Sequence, residues 1–125
     1  MQDSLTIRQN SVLKINPLKR KGETSMKITQ ELNGKDLTLS LDGYLDTGTS
    51  PELKQVLNET MDSIDSLAID CENLEYISSA GLRVLLTAHM TMSTKGGMKI
   101  LHVNDEVLDT MKITGMVNVL NIVQN

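Results

Sequence analysis

The chain has no Trp, no Phe and only two Tyr, Tyr44 and Tyr76, among its 125 residues. Single-stranded nucleic acid therefore finds no aromatic platform on which to stack its bases. Any core must be aliphatic, built from Leu, Ile, Val and eight Met, and a hydrophobic content of 39% is enough for one. The single cysteine, Cys71, excludes an internal disulfide and points to a reducing, cytoplasmic setting. No run of 18 apolar residues occurs, so no direct membrane insertion is expected. Residues 1–25 also lack the continuous apolar stretch of a signal peptide. Asn58-Glu59-Thr60 matches a glycosylation pattern, but inside a helix candidate of a cytosolic-looking chain it reads as coincidence.

The net charge of −4 is unevenly spread. Residues 1–25 hold five cations, Arg8, Lys14, Lys19, Arg20 and Lys21, against Asp3 and Glu23. The remaining 100 residues hold seven cations against fourteen acids. An acidic body is a poor nucleic-acid surface and is compatible with a basic protein partner. The length fits one domain. Residues 1–25 read as a loosely ordered extension, with an extra edge strand as the alternative, and residues 26–125 as the folded domain.

From Met26 the patterning is regular. Ile28, Gln30 and Leu32 alternate with charged and polar neighbours, Asn33-Gly34 supplies a tight turn, and Leu37, Leu39 and Leu41 alternate again, which predicts a hairpin. Gly43 to Gly48 reads as a loop. Ser50 as N-cap, Pro51 and Glu52 open a helix whose apolar positions are Leu53, Val56, Leu57, Met61 and Ile64. Leu67-Ala68-Ile69-Asp70 predicts a short buried strand, and Glu72 to Ser78 a connecting segment. A second helix is expected from about Ser79 to Thr94, with Leu82, Leu85, Leu86, His89 and Met90 on its apolar stripe and Gly96-Gly97 closing it. Met98 to Val103 predicts a strand. Asn104 or Asp105 caps a third helix ending near Gly115, and Val119 to Val123 forms a last strand or an apolar helix end. The fold class is α/β, in the order ββαβαβα(β): a mixed sheet of four to five strands carrying three to four helices.

Catalytic patterns are weak. His89 and His102 are 13 residues apart with no Cys/His cluster at metal spacing, and both read as structural. Ser79 lacks the G-x-S-x-G frame of a nucleophile elbow. Thr94-Lys95-Gly96-Gly97 lacks full phosphate-loop spacing. Asp42, Asp46 and Asp70 allow a three-carboxylate magnesium site, with solvated loop acids as the plainer reading. Cys71 reads as a buried, inert thiol. The chain is expected to need no metal and no cofactor, and not to be an enzyme.

The richest stretch is Tyr76-Ile77-Ser78-Ser79-Ala80-Gly81-Leu82-Arg83-Val84-Leu85-Leu86. It places two hydroxyls and then two minimal side chains where a loop becomes an amphipathic helix. A helix start offers free N–H groups and the positive dipole end, which tolerate an added phosphate. Plain helix capping by Ser78-Ser79 is the alternative. Together with Leu67 to Glu75, this segment closely resembles the signature of STAS domains, the anti-sigma factor antagonists and their relatives. The resemblance covers about residues 26–123. It implies that the matching serine, Ser79, is phosphorylated by a partner kinase that is also an anti-sigma factor. The unphosphorylated form would bind that kinase and so release a sigma factor. Many members have aspartate where this chain has Ser78, and Ser or Thr where it has Ala80; Ser78 is therefore a rival acceptor. The expected docking surface comprises Asp46, Ser78, Ser79, Ala80, Gly81, Leu82 and Arg83, on a monomer or weak dimer. Gly81→Glu is accordingly expected to cost binding more than folding. The alternative is an unphosphorylated STAS subunit of a lipid-transport ABC system or another signalling complex.

Overall fold

The computed structural model describes residues 25–123. The expected N-terminal extension lies, apart from Ser25, outside the described residues. Strand β1 (Met26–Asn33) pairs antiparallel with β2 (Asp36–Leu45) in the alternating register that the sequence predicts. Gly34, at φ 67°, and Lys35 make the two-residue turn between Asn33 and Asp36. Helix α1 (Ser50–Thr60) starts with Thr49, not Ser50, at the N-cap position, and a short 3-10 turn, Met61–Ser63, follows it. Strand β3 (Ser66–Ile77) leads into α2 (Ser79–Met92), β4 (Met98–Leu101), α3 (Asp105–Ile113) and the two-residue β5 (Ile122–Val123). The five strands lie in sequence order, with β2 to β5 mutually parallel.

The alternation sets which face of the sheet the helices cover. Leu37, Leu39, Leu41, Leu67, Ile69, Met98 and Ile100 are all buried on one face. Their neighbours Thr38, Ser40 and Asp70 are half-buried and Lys99 is exposed, so the opposite face stays partly open. Helix α1 supplies Leu53, Val56 and Leu57 to the core, and α2 supplies Leu82, Leu85, Ala88 and Met92. These two helices pack against each other.

Four further expectations are corrected. Strand β2 does not stop at Gly43. It bends there through a register irregularity, with Gly43 at φ 115° and so placed that a Cβ built on it would collide with the Ser25 carbonyl oxygen, and continues to Leu45. The segment from Glu72 onward is strand, not a connection: β3 leaves β4 after Asp70 but stays paired with β2 as far as Ile77. Strand β4 ends at Leu101, because His102 turns the chain at φ 60°. The buried stripe of α2 is rotated from the predicted one. Met90 is 62% exposed and Leu86 and His89 are only half-buried, while Gly81, Ala88 and Met92 point inward.

One side chain holds the β4–α3 corner. Asn104 Oδ1 accepts from Val107 N at 2.8 Å as N-cap, and Asn104 Nδ2 donates to the Leu74 carbonyl at 2.9 Å. Asn104→Ala removes both bonds and is expected to cost about 2 kcal/mol in urea unfolding; Asn104→Asp keeps the cap and should cost roughly half as much. Equal losses for the two variants would show that the cap to Val107 contributes nothing, and parent-like stability of Asn104→Asp would show the same of the tie to Leu74.

Candidate functional site

The carboxyl ends of β2 and β3 carry the site. Past Leu45 the chain turns through a loop organised by Asp46, whose Oδ1 accepts from Gly48 N at 2.9 Å and Thr49 N at 3.0 Å. Thr49 is fully buried; its hydroxyl donates to the Tyr44 carbonyl at 2.7 Å. Asp46 thus shapes the entry to α1, and Ser50 N bonds back to the Asp46 carbonyl at 2.8 Å. Beside it, Ser78 N donates to the Leu45 carbonyl at 2.9 Å, which fixes the start of α2 against the end of β2.

The two serines have different positions. Ser78 is the N-cap, in extended conformation, and its hydroxyl accepts from Gly81 N at 3.3 Å. Ser79 is the first helical residue and is exposed. Among the described residues its hydroxyl has no hydrogen-bond partner. The free amides of a helix start and the positive dipole end surround it. Arg83, one helical turn on, is also exposed and has no ion pair among the described residues. Ser79 and Arg83 share the rim of a hollow of 180 Å³ with Leu82, Leu86, Thr114 and Met116.

Gly81 and Leu82 do not belong to the exposed surface. Leu82 is 3% exposed and packs into the core. Gly81 is buried, and a Cβ built on it would lie 2.6 Å from Leu45 Cγ and 3.0 Å from the Leu45 carbonyl oxygen. The small residue is there so that α2 can close on β2, not to keep a surface open. Ala80 is half-buried between these two environments. Against the expectation that Gly81→Glu costs binding more than folding, any side chain at this position meets Leu45 first.

Other candidate chemistry sorts itself out by geometry. Asp42, Asp46 and Asp70 are not gathered into a metal-holding group among the described residues. Lys95 donates its ammonium to the Met61 and Ile64 carbonyls, and Gly97, at φ 92°, donates to the Met92 carbonyl at 2.9 Å. The phosphate-loop-like segment is a helix closure. Cys71 is fully buried, and burial, with Asp70 adding to it, pushes its thiol pKa up to about 12. It stays protonated and unreactive.

Two features escaped the sequence reading. Tyr44 and Tyr76 are register partners on β2 and β3, 37% and 46% exposed, with ring centroids 6.0 Å apart. They stand two residues before Asp46 and Ser78 respectively, and this proximity was the available signal. The second is His102, which is not a strand residue packed in place. It is exposed and its Nδ1 lies 2.9 Å from Asp70 Oδ1. His89 remains half-buried, with a buried Nδ1 that has no hydrogen-bond partner among the described residues. Neither imidazole is bonded to Ser79, so no proton relay is built on that hydroxyl.

The STAS domain family model matches residues 26–125. The chain belongs to the STAS domain family. Its sequence is 26% identical over 104 residues to the anti-sigma F factor antagonist of Paenibacillus polymyxa, covering 81% of this chain and 89% of that one. In fold, this STAS domain is similar to an anti-sigma factor antagonist from Mycobacterium paratuberculosis, with a TM-score of 0.73, 22% identity and coverage of 81% and 87%. It is also similar to the anti-sigma factor antagonist SpoIIAA in its unphosphorylated form, with a TM-score of 0.67, 14% identity and coverage of 78% and 89%. For the Bacillus cell fate determinant SpoIIAA in the phosphorylated form the TM-score is 0.61, at 13% identity and coverage of 78% and 92%. No helix among the described residues is long and apolar enough to cross a membrane.

Two expected outcomes follow from this packing and charge. Gly81→Ala should lower stability by about 1–3 kcal/mol, because Leu45 is fully buried and has little room to move; a thermal melt like that of the parent would show that the helix can shift freely. The Asp70 hydrogen bond, then its charge, raises the His102 pKa above 6.5. A raised folded-state pKa favours the imidazolium, so this contribution is present below the unfolded value and fades as pH climbs through the folded one. An NMR titration in chelator should place the His102 midpoint above 6.5, and Asp70→Asn should lower it. An unchanged midpoint in that variant would rule out Asp70 as the cause.

Proposed function

We propose that this STAS domain is an anti-sigma factor antagonist whose docking surface is switched by phosphorylation of Ser79. The observation that carries the reading is the difference between the two serines. Ser78 is occupied as a helix cap, whereas Ser79 offers an unbonded hydroxyl at the exposed start of α2. The relatives named as anti-sigma factor antagonists, and the existence of one of them in unphosphorylated and phosphorylated forms, support the same reading. The partner is an anti-sigma factor that is also a serine kinase, and binding of the unmodified domain releases its sigma factor. The domain itself performs no catalysis in this scheme.

The docking surface is centred on Ser79, Ala80 and Arg83, with the Asp46 loop and the Tyr44–Tyr76 pair beside it. Tyrosine and arginine are the side chains that most often anchor such contacts. A phosphate on Ser79 adds about −1.5 to −2 charges. The helix dipole offsets part of this, by roughly 0.3–1 kcal/mol, so the fold tolerates the group. A partner seated over the same spot must strip water from it. A penalty of about 2.7 kcal/mol would weaken binding roughly a hundredfold.

With the cognate kinase and ATP, mass spectrometry should find the phosphate on Ser79 and not on Ser78. Ser79→Ala should keep the affinity for that kinase and lose modification, while Ser79→Asp should weaken binding. Equal affinity of the two variants, or modification confined to Ser78, would overturn the proposal. Binding of an ATPase or scaffold with no modification under any condition would favour a lipid-transport or other signalling subunit.

A further inference from the structure

A second group of side chains converges away from Ser79. Strands β3 and β4 run side by side only as far as Asp70 and Leu101. Beyond that point β3 continues beside β2, and the chain leaving β4 turns aside at His102. The divergence separates the two strands at the carboxyl end of the sheet. Asp70, Glu72 and His102 meet there, with one donor atom from each lying within 4.8 Å of the other two. Asp70 and Glu72 flank Cys71, whose side chain points into the core, so both carboxylates stand on the outer side.

The donor set is specific in its chemistry. Two carboxylates alone would suit magnesium or calcium, but an imidazole shifts preference toward first-row transition ions. The spacing also fits. Neighbouring ligands bonded at about 2.0–2.2 Å in a tetrahedral shell lie roughly 3.3–3.6 Å apart; His102 Nδ1 and Asp70 Oδ1 are 2.9 Å apart. A small opening of that pair admits an ion. Glu72 N donates to Asp70 Oδ1 at 3.0 Å, which holds the carboxylate in place as an outer-shell partner does. None of the three residues lines the hollow at Ser79.

We propose that Asp70, Glu72 and His102 form a binding site for a divalent first-row transition ion of the zinc class. The ligands are Asp70 Oδ1, a carboxylate oxygen of Glu72 and His102 Nδ1, and water completes the shell. His102 binds as the neutral imidazole with its proton on Nε2, so that the Nδ1 lone pair reaches the metal; any proton on Nδ1 passes to solvent. The ion clamps the corner that leads to Asn104 and α3 onto β3. This site is independent of the Ser79 reading.

The test uses the full chain, without a polyhistidine tag and stripped of metal. Calorimetric titration with zinc chloride should show one equivalent bound, and the melting temperature should rise with zinc. Glu72→Gln and His102→Gln, both at exposed positions, should each weaken binding by at least roughly tenfold and remove the thermal shift. Circular dichroism establishes that the variants are folded. Binding of equal strength in the parent and both variants, or no zinc binding beyond weak, unsaturated uptake, would overturn the proposal. Titration with cobalt gives a second check: a thiolate-to-cobalt charge-transfer band would place the ion on Cys71 and overturn it as well.

Discussion

The close approach of Gly81 to Leu45 is the contact on which the rest of the site depends. It lets the first turn of α2 sit directly on the end of β2, nearer than any side chain would allow. The backbone bond from Ser78 N to the Leu45 carbonyl and the cap from Ser78 to Gly81 N complete the same corner. Three constraints acting within four residues leave the helix start little freedom. The exposed place of Ser79 at the first helical position follows from them.

This arrangement separates two jobs that a single helix start could confuse. Ser78, Gly81 and Leu82 build the joint and face inward or are hydrogen-bonded. Ser79 and Arg83 face outward and hold nothing up. A charge added to Ser79 therefore meets the dipole and water, and not the core. On the proposed reading a phosphate would act on a partner without unfolding the domain, because the joint does not share its hydrogen bonds with Ser79.

Much of this was legible in the sequence, for physical reasons that differ by element. The hairpin showed itself because period-two alternation and Gly34 agree. The start of α2 was visible because capping chemistry is local. The continuation of β3 was hidden, since Cys71, Leu74 and Ile77 are buried at intervals of three, a spacing that a pleated strand shows only where its register slips. Gly43 looked like a loop residue because a bulge and a turn ask for the same backbone freedom. The burial of Gly81 could not be read at all, as a glycine has no side chain to mark a face. The Asp70–His102 pairing joins residues 32 apart in sequence, through a strand pairing that no local pattern encodes.

The central claim is that phosphate at Ser79 breaks a contact while leaving the fold alone. The direct measurement compares the stoichiometrically phosphorylated chain with the unmodified one, in calorimetric affinity for the cognate anti-sigma factor kinase and in thermal melting. The account predicts a roughly hundredfold weaker complex at an almost unchanged melting temperature. Equal affinities would contradict it, and so would a loss of binding that merely follows a collapse of the melting temperature.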